Sequence, residues 1–348
     1  MFSISRASEQ RFSPHPRSSA LRSAALLDLP FPSSVQVFVC EGALFHNRLW
    51  ADGYVVKLSC GHPRPLPSSG VAVVDRDLAL AYDAAHVAFQ HDMITGLSHG
   101  ALFAEWVAEQ PARRALLSHR VGAEIFRASL GASSLDRGTL PKLFWAPSLR
   151  YNRAPHDQEM DGCEPFPLGS FWPVELFLAK IMVAPAFVAP AKPVVLYLSR
   201  GHSKNSIRWL DNEDVLVARL DAFVKERNWA LQVVPHETTG AGAQNTGRRL
   251  MAQFYGAAAV VGLHGGAMSN IVFCNLDAVI VEINNNVKAR DCFANIAVSR
   301  GMQYHRVQPQ REFQYQSGDH FSLFDREIRQ ILALLHFGIT DKLIKPDI

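Results

Sequence analysis

From residue 194 onward, short apolar runs alternate with stretches of helical spacing. Residues 194–198, 231–234, 258–263, 278–283 and 302–307 read as strands, because each is brief and bounded by turn formers or by a stretch of helical spacing. Helices are predicted between them, from Asp211 or Asn212 to about Trp229, over 246–257 and over 291–300. The first carries Glu213 and Asp214 in the turn where the helix dipole favours acids, and Asp211 or Asn212 can cap it. The runs at 258–263 and 278–283 are too far apart for a hairpin and suit a crossover between parallel strands. Such alternation predicts a doubly wound parallel sheet with right-handed connections. A last helix, about 322–337, lines up Phe324, Ile328, Ile331, Leu332 and Leu335, enough to pack on a core or to reach back to the first half of the chain.

Before residue 194 the rhythm is looser. Strand-like runs at 35–40, 54–58 and 71–74 are separated by a Pro-rich turn at 61–70, and helical periodicity then runs over 84–130 with a break at Pro111. Residues 142–145 read as the last strand of this half and 174–183 as a helix. Pro185, Pro190 and Pro193 forbid a regular helix over 184–193 and mark a hinge. The expected organisation is a leader at 1–30, an α/β domain at 31–183, the hinge, a second α/β domain at 194–319 and a terminal helical segment at 320–348. The leader has Arg6, Arg11, Arg17 and Arg22 among serines and no apolar stretch. That composition suits a disordered or transit-like segment rather than a secretory signal or an anchor.

At 348 residues the chain is long enough for two cores. No run of about 18 apolar residues is present, so no transmembrane span is predicted. A net charge of +3 is too small to suggest a nucleic-acid partner. Cys40, Cys60, Cys163, Cys274 and Cys292 contain no C-x-x-C pair, which argues against a zinc ribbon and makes buried thiols the expectation.

The chemistry gathers at the ends of the later strands, where open α/β sheets bind ligands. His264-Gly265-Gly266 follows one apolar run and Glu282 ends the next. The glycines allow close approach of a ligand, and residues 267–273 can open a helix whose free N–H groups favour an anion. Glu282 is placed to accept from ribose hydroxyls. Arg200, ending the first strand of this domain, and Arg208, within loop reach, can pair with phosphate oxygens. A plain turn with a satisfied histidine would account for the same loop residues. The G-x-G-x-x-G spacing of a nicotinamide enzyme is missing, which weakens an oxidoreductase reading.

Gly262-Leu263-His264-Gly265-Gly266-Ala267-Met268-Ser269-Asn270-Ile271-Val272-Phe273, followed by Val281-Glu282-Ile283, resembles the G-x-H-G-A-x-x-T-N-x-x-F and V-I-E-I blocks of glycosyltransferase family 61. Leu196 to Arg200, then Arg208 and Asn212-Glu213, resembles the family's strand ending in S-R with its later R and N-E. Gly266 replaces the usual Ala and Ser269 the usual Thr, and the likeness runs from about Val194 to Val307. The resemblance implies a GT-B architecture, two Rossmann-like domains facing a cleft. It also implies an inverting transfer of a sugar from a nucleotide sugar, UDP-linked, to a hydroxyl of a glycan or glycoprotein acceptor, with no cofactor and no required metal. Arg200, Arg208, His264, Gly265, Gly266, Ser269 and Asn270 would then hold the donor phosphates and Glu282 the nucleoside ribose.

The family's His-rich N-terminal block has a loose counterpart in His86-Val87-Ala88-Phe89-Gln90-His91-Asp92. An inverting transfer needs one base to take the acceptor proton, and His91 or Asp92, with His86 beside them, are the candidates. His86, His91 and His99 lack the i, i+4 spacing of a zinc helix. Trp145, Tyr151, Phe171 and Trp172 could stack on a sugar, although core packing explains large aromatics as well. A protein that kept the fold and binds nucleotide or sugar without turnover is the alternative expectation. The compartment is cytoplasmic by sequence, or the ER and Golgi lumen if eukaryotic family members are the guide.

Overall fold

The computed structural model describes residues 8–12, 35–50, 53–59, 72–81, 97–117, 120–130, 133–136, 140, 143–151, 190–201, 208–235, 246–284, 292–299, 301–309 and 319–344. His86, His91, Asp92, His99, Phe171, Trp172 and the helix expected at 174–183 lie outside them. The chain forms two compact units, one of Met1–Gly162, Phe166–Val183 and Ala241–Arg248, the other of Cys163–Pro165, Ala184–Gly240 and Arg249–Ile348.

The first unit is built on an eight-stranded mixed sheet. Its strands are β1 (Ser8–Phe12), β2 (Val35–Trp50), β3 (Gly53–Ser59), β4 (Ala72–Val73), β5 (Leu78–Leu80), β6 (Arg114–Leu117), β7 (Ser134–Asp136) and β8 (Leu143–Tyr151). They run in the order β1-β2-β8-β5-β6-β7, with β3 on β2 and β4 on β8. β5 pairs parallel with β6 and β8, and β6 with β7, whereas β1, β3 and β8 pair antiparallel with β2. Helices α1 (Leu97–Ala108) and α2 (Arg120–Leu130) follow β5 and β6.

Three expectations change in this unit. Residues 8–12, assigned to the leader, form a strand paired with β2, since backbone pairing with a long neighbour needs no apolar pattern of its own. β2 continues ten residues beyond Cys40, because its polar half is held between β3 and β8. β6 interrupts the stretch read as helix. Its Arg-Ala-Leu-Leu sequence has good helix propensity, yet Ala115, Leu116 and Leu117 are fully buried between β5 and β7, and tertiary pairing overrides propensity in so short a run.

The second unit matches its predicted rhythm closely. β9 (Val194–Ser199), β11 (Ala230–Pro235), β12 (Ala259–Leu263), β13 (Val279–Ile283) and β14 (Gln303–Val307) form one sheet in the order β11-β9-β12-β13-β14. Every pairing in it is parallel. Helices α3 (Glu213–Glu226), α4 (Thr246–Tyr255), α5 (Cys292–Ser299) and α6 (Asp325–Ile344) connect and cover it. Leu216, Leu220 and Val224 of α3 and Ile328, Ile331, Leu335 and Ile339 of α6 share one core with Tyr197, Val261, Val281 and Ile283. The apolar stripe of α6 is thus spent on its own unit's sheet, and only Phe324 of the predicted set is left 44% exposed. Gly338 does not end this helix. A Cβ there would lie 2.6 Å from Val279, so the glycine lets the helix close on β13.

Sequence spacing missed a small parallel pair, β10 (Arg208–Leu210) with β15 (Asp319–Phe321). Three-residue strands show no period. Asn212 occupies the N-cap position of α3 but makes no side-chain cap. Instead its amide donates to the Leu323 carbonyl at 2.9 Å and accepts from the Leu323 N–H at 3.0 Å, clipping the chain just ahead of α6.

Candidate functional site

Counted from β9, the second sheet has strand order 2-1-3-4-5. In a doubly wound sheet of that order the connections leave in opposite directions from the first and third strands, and the gap between them is where ligands bind. Here that gap lies beyond β9 and β12. Arg200 follows one strand and His264-Gly265-Gly266 the other.

The two turns fit into each other. A Cβ built on Gly265 would lie 1.4 Å from Arg200 Nη2, so the guanidinium lies in space that only a glycine leaves open. Gly265 also has φ +158° and ψ 176°, a region glycine occupies readily and other residues rarely. Arg200 is only 8% exposed. Its own turn is tied down by Glu213, in the first turn of α3. Glu213 Oε1 accepts from the Arg200 N–H at 3.0 Å and from the Tyr197 hydroxyl at 2.9 Å. A Cβ on Gly201 would meet Glu213 Oε2 at 2.5 Å, so Gly201 admits the carboxylate. Burial, and then the Glu213 charge, pushes the Tyr197 phenol far above its ordinary range, which keeps it a hydrogen-bond donor.

Beneath the second turn lies a polar cluster inside an otherwise apolar layer. Glu282 on β13 has no exposed surface. Its Oε1 meets His264 Nδ1 and accepts from Asn284 Nδ2 at 3.0 Å, while Oε2 accepts from the Tyr304 hydroxyl on β14. Asn284 Nδ2 is also 3.1 Å from His264 Nδ1. Arg306 Nε reaches the Tyr304 oxygen at 3.3 Å. The imidazole packs against Phe293 of α5, with ring centroids 5.0 Å apart, and its side chain is 13% exposed.

After Gly265 the chain makes a 3-10 helix, Gly266–Phe273, in which residues 267–273 are all buried. Ser269 Oγ donates to the Gly266 carbonyl at 2.6 Å and Asn270 Nδ2 to the Ala267 carbonyl at 2.9 Å. Asn270 Oδ1 is buried with no hydrogen-bond partner among the described residues. A Cβ on Gly262 would stand 3.0 Å from Leu198 Cβ and from Met268 Sδ, so this glycine lets β9 and the 3-10 helix close over β12.

The structure therefore brings together Arg200, His264, Gly265 and Gly266 of the expected donor residues. Ser269 and Asn270 turn inward and brace their own turn, because a 3-10 helix this apolar is swallowed by the core. Glu282, expected at the ribose, has one oxygen on His264 Nδ1 and the Asn284 amide and the other on the Tyr304 hydroxyl. Arg208 lies on β10. His86, His91 and Asp92 lie outside the described residues. Asn284, Tyr304 and Arg306 were missed. Period-2 spacing does put Asn284 on the same strand face as Glu282, but Tyr304 reaches Glu282 only through the register in which Ile280 faces Tyr304 and Glu282 faces Arg306. Among the described residues no group of three or more His, Cys, Asp or Glu side chains could hold a metal ion, and no helix is long and apolar enough to cross a membrane.

The second unit is an α/β fold with a parallel sheet, an arrangement consistent with a Rossmann-like fold. Residues 138–281, about two fifths of the chain, match the family described as Glycosyltransferase 61. The resemblance read from the sequence blocks is thereby upheld, and the matched stretch takes in Arg200, Arg208 and the whole His264 loop and stops one residue before Glu282. No curated protein matches the chain. Among solved structures, one described as an oxidoreductase from Corynebacterium diphtheriae aligns with 11% identity and a TM-score of 0.29, covering 44% of this chain and 99% of that one. A superposition this loose does not bear on activity.

Proposed function

We propose that the protein is an inverting glycosyltransferase of GT-B type that moves a sugar from a UDP-linked donor to a hydroxyl of a glycan or glycoprotein. The reading rests on the family match and on one observation above the others. The Arg200 guanidinium lies over Gly265 beside His264, at the switch point of a parallel sheet. Positive charge there can hold a diphosphate and offset the negative charge that grows on it as the sugar leaves. In the reaction the acceptor oxygen bonds to the anomeric carbon and a base takes its proton. The bond from that carbon to the diphosphate oxygen breaks with its electron pair, so UDP departs as an anion.

In this proposal Arg200, Arg208, His264 and the backbone at Gly265 and Gly266 receive the diphosphate, and His91 or Asp92, with His86 nearby, serves the acceptor. Donor binding needs no metal. Titration of UDP into EDTA-treated protein checks the assignment. Wild type should bind, and Arg200→Ala should weaken binding by about tenfold or more, the size of one lost charge-assisted contact. Equal affinity in both removes the donor site from this switch point. Tight UDP binding with neither transfer nor donor hydrolysis would leave a binding protein.

A further inference from the structure

The edge of a sheet presents backbone groups that a further strand can use. The five-stranded sheet of the second unit ends in β11 on one side and in β14 on the other. β14 reads Gln-Tyr-His-Arg-Val and so carries His305 and Arg306, and charge is one of the usual means by which an edge is kept from pairing. β11 reads Ala-Leu-Gln-Val-Val-Pro, with no charged residue and no proline before its last position. Among the described residues no strand lies on its outer side, and Gln232, Val233 and Pro235 are exposed.

One bond fixes which groups face outward. The Ala230 N–H donates to the Pro193 carbonyl at 2.9 Å, and Ala230 stands in register with Val194 of β9. Backbone groups alternate sides along a strand, so those of Ala230, Gln232 and Val234 turn toward β9. Those of Leu231 and Val233 turn away from it, one donor and one acceptor on each. The set is complementary to itself. Turned by a twofold axis through Gln232, Leu231 faces Val233 of the copy and Val233 faces its Leu231, with four N–H···O bonds between the strands. The side chains agree with the backbone. Leu231 packs partly on the core, whereas Val233, on the same strand face, is 44% exposed. The twofold sets each Val233 beside the Leu231 side chain of the other strand and so covers it.

We propose that β11 pairs antiparallel with β11 of a second copy of this chain, joining two parallel sheets into one mixed sheet across a dimer. The proposed reaction plays no part in this pairing.

Sedimentation of the full chain tests it at about 100 µM, where an interface of modest area is populated. Wild type should sediment with the mass of two chains. Val233→Pro removes an outward N–H from each strand, at an edge where proline is tolerated, and should sediment as one chain. Val233→Lys puts a charge on the edge and should do the same; it decides the matter if Val233→Pro does not fold. The register has its own test. Gln232 faces its copy as a non-hydrogen-bonded pair with Cα atoms about 4.5 Å apart, inside the range of roughly 4.4–6.8 Å that a disulfide spans. Gln232→Cys should therefore give a covalent dimer on mild oxidation, with wild type treated alike as the blank for the native thiols, and adding Val233→Lys should abolish the cross-link. A single-chain mass for wild type overturns the proposal. So does a dimer that both Val233 variants leave intact, or a Gln232→Cys chain that does not cross-link.

Discussion

Glu213 and Glu282 each accept a hydrogen bond from a tyrosine, Tyr197 at 2.9 Å for Glu213 and Tyr304 for Glu282, and each supports one of the two turns at the switch point. Their tasks differ. Glu213, partly exposed at the start of α3, holds a backbone N–H and so fixes where the Arg200 turn runs. Glu282, wholly enclosed, holds the His264 ring. A main-chain tether can be partly replaced by water, whereas a buried acid enclosed by three polar partners has no substitute partner. One half of the site is therefore held at low energetic risk and the other at high risk.

The sharpest way to break this contrast is Glu282→Ala. Removing one member of a buried charged cluster strands the others, and the expected loss is about 3–5 kcal/mol in urea unfolding; a loss below about 1 kcal/mol would make the two carboxylates equivalent. Gly265→Ala comes next. Its Cβ would overlap Arg200, so the arginine must leave its place, and a backbone suited to glycine adds about 1–3 kcal/mol of strain. Its UDP affinity should fall as in Arg200→Ala, and unchanged affinity would show that the guanidinium is not needed where it lies. Glu213→Gln should cost about 1 kcal/mol and weaken UDP binding less than Gly265→Ala does; a loss as large as that of Glu282→Ala erases the comparison.

Alkaline unfolding sharpens it further at smaller scale. Tyr197 and Tyr304 both have folded-state values raised above the ordinary value of 10.0. The unfolded chain then releases protons first, so their contribution is complete below pH 10 and is lost as pH rises toward the folded-state values. Tyr304→Phe should flatten the fall in stability above pH 10, and an unchanged slope would take Tyr304 out of the cluster's energetics. The smallest effect is Arg219→Ala, which breaks a 3.0 Å pair with Asp325 whose side chains are 48% and 57% exposed. Screening by solvent limits it to about 0.5 kcal/mol, and a loss above about 1 kcal/mol would mean that this link between α3 and α6 supports the Arg200 turn.

Much of the second unit could be read from residues alone. Five short strands with helices between them leave few topologies, and the glycine-flanked histidine after β12 stands out because nothing else in that strand is polar. The first unit was less legible. β5 and β6 are three and four residues long, too short for a period to register, and the leucines and alanine of β6 favour helix until neighbouring strands claim them. Within the site, the burial of Ser269 and Asn270 could not be foreseen, because the spacing of a motif says nothing about whether its helix is covered. The surroundings of Glu282 were out of reach for a related reason: an acid late in a strand has the same sequence signature whether it meets a ribose or a buried imidazole.

The chain by itself determined the alternation of strand and helix, the parallel sense of the second sheet, and the glycines that keep space open at positions 262 and 265, because these follow from local propensity and from the sizes of side chains. Tertiary structure alone decided that Arg200 lies over Gly265, that Glu213 holds its turn, and that Tyr304 and Asn284 close around Glu282. Those contacts depend on strand order and register, which are set by how whole elements bury their apolar faces against one another, and no short stretch of residues carries that information.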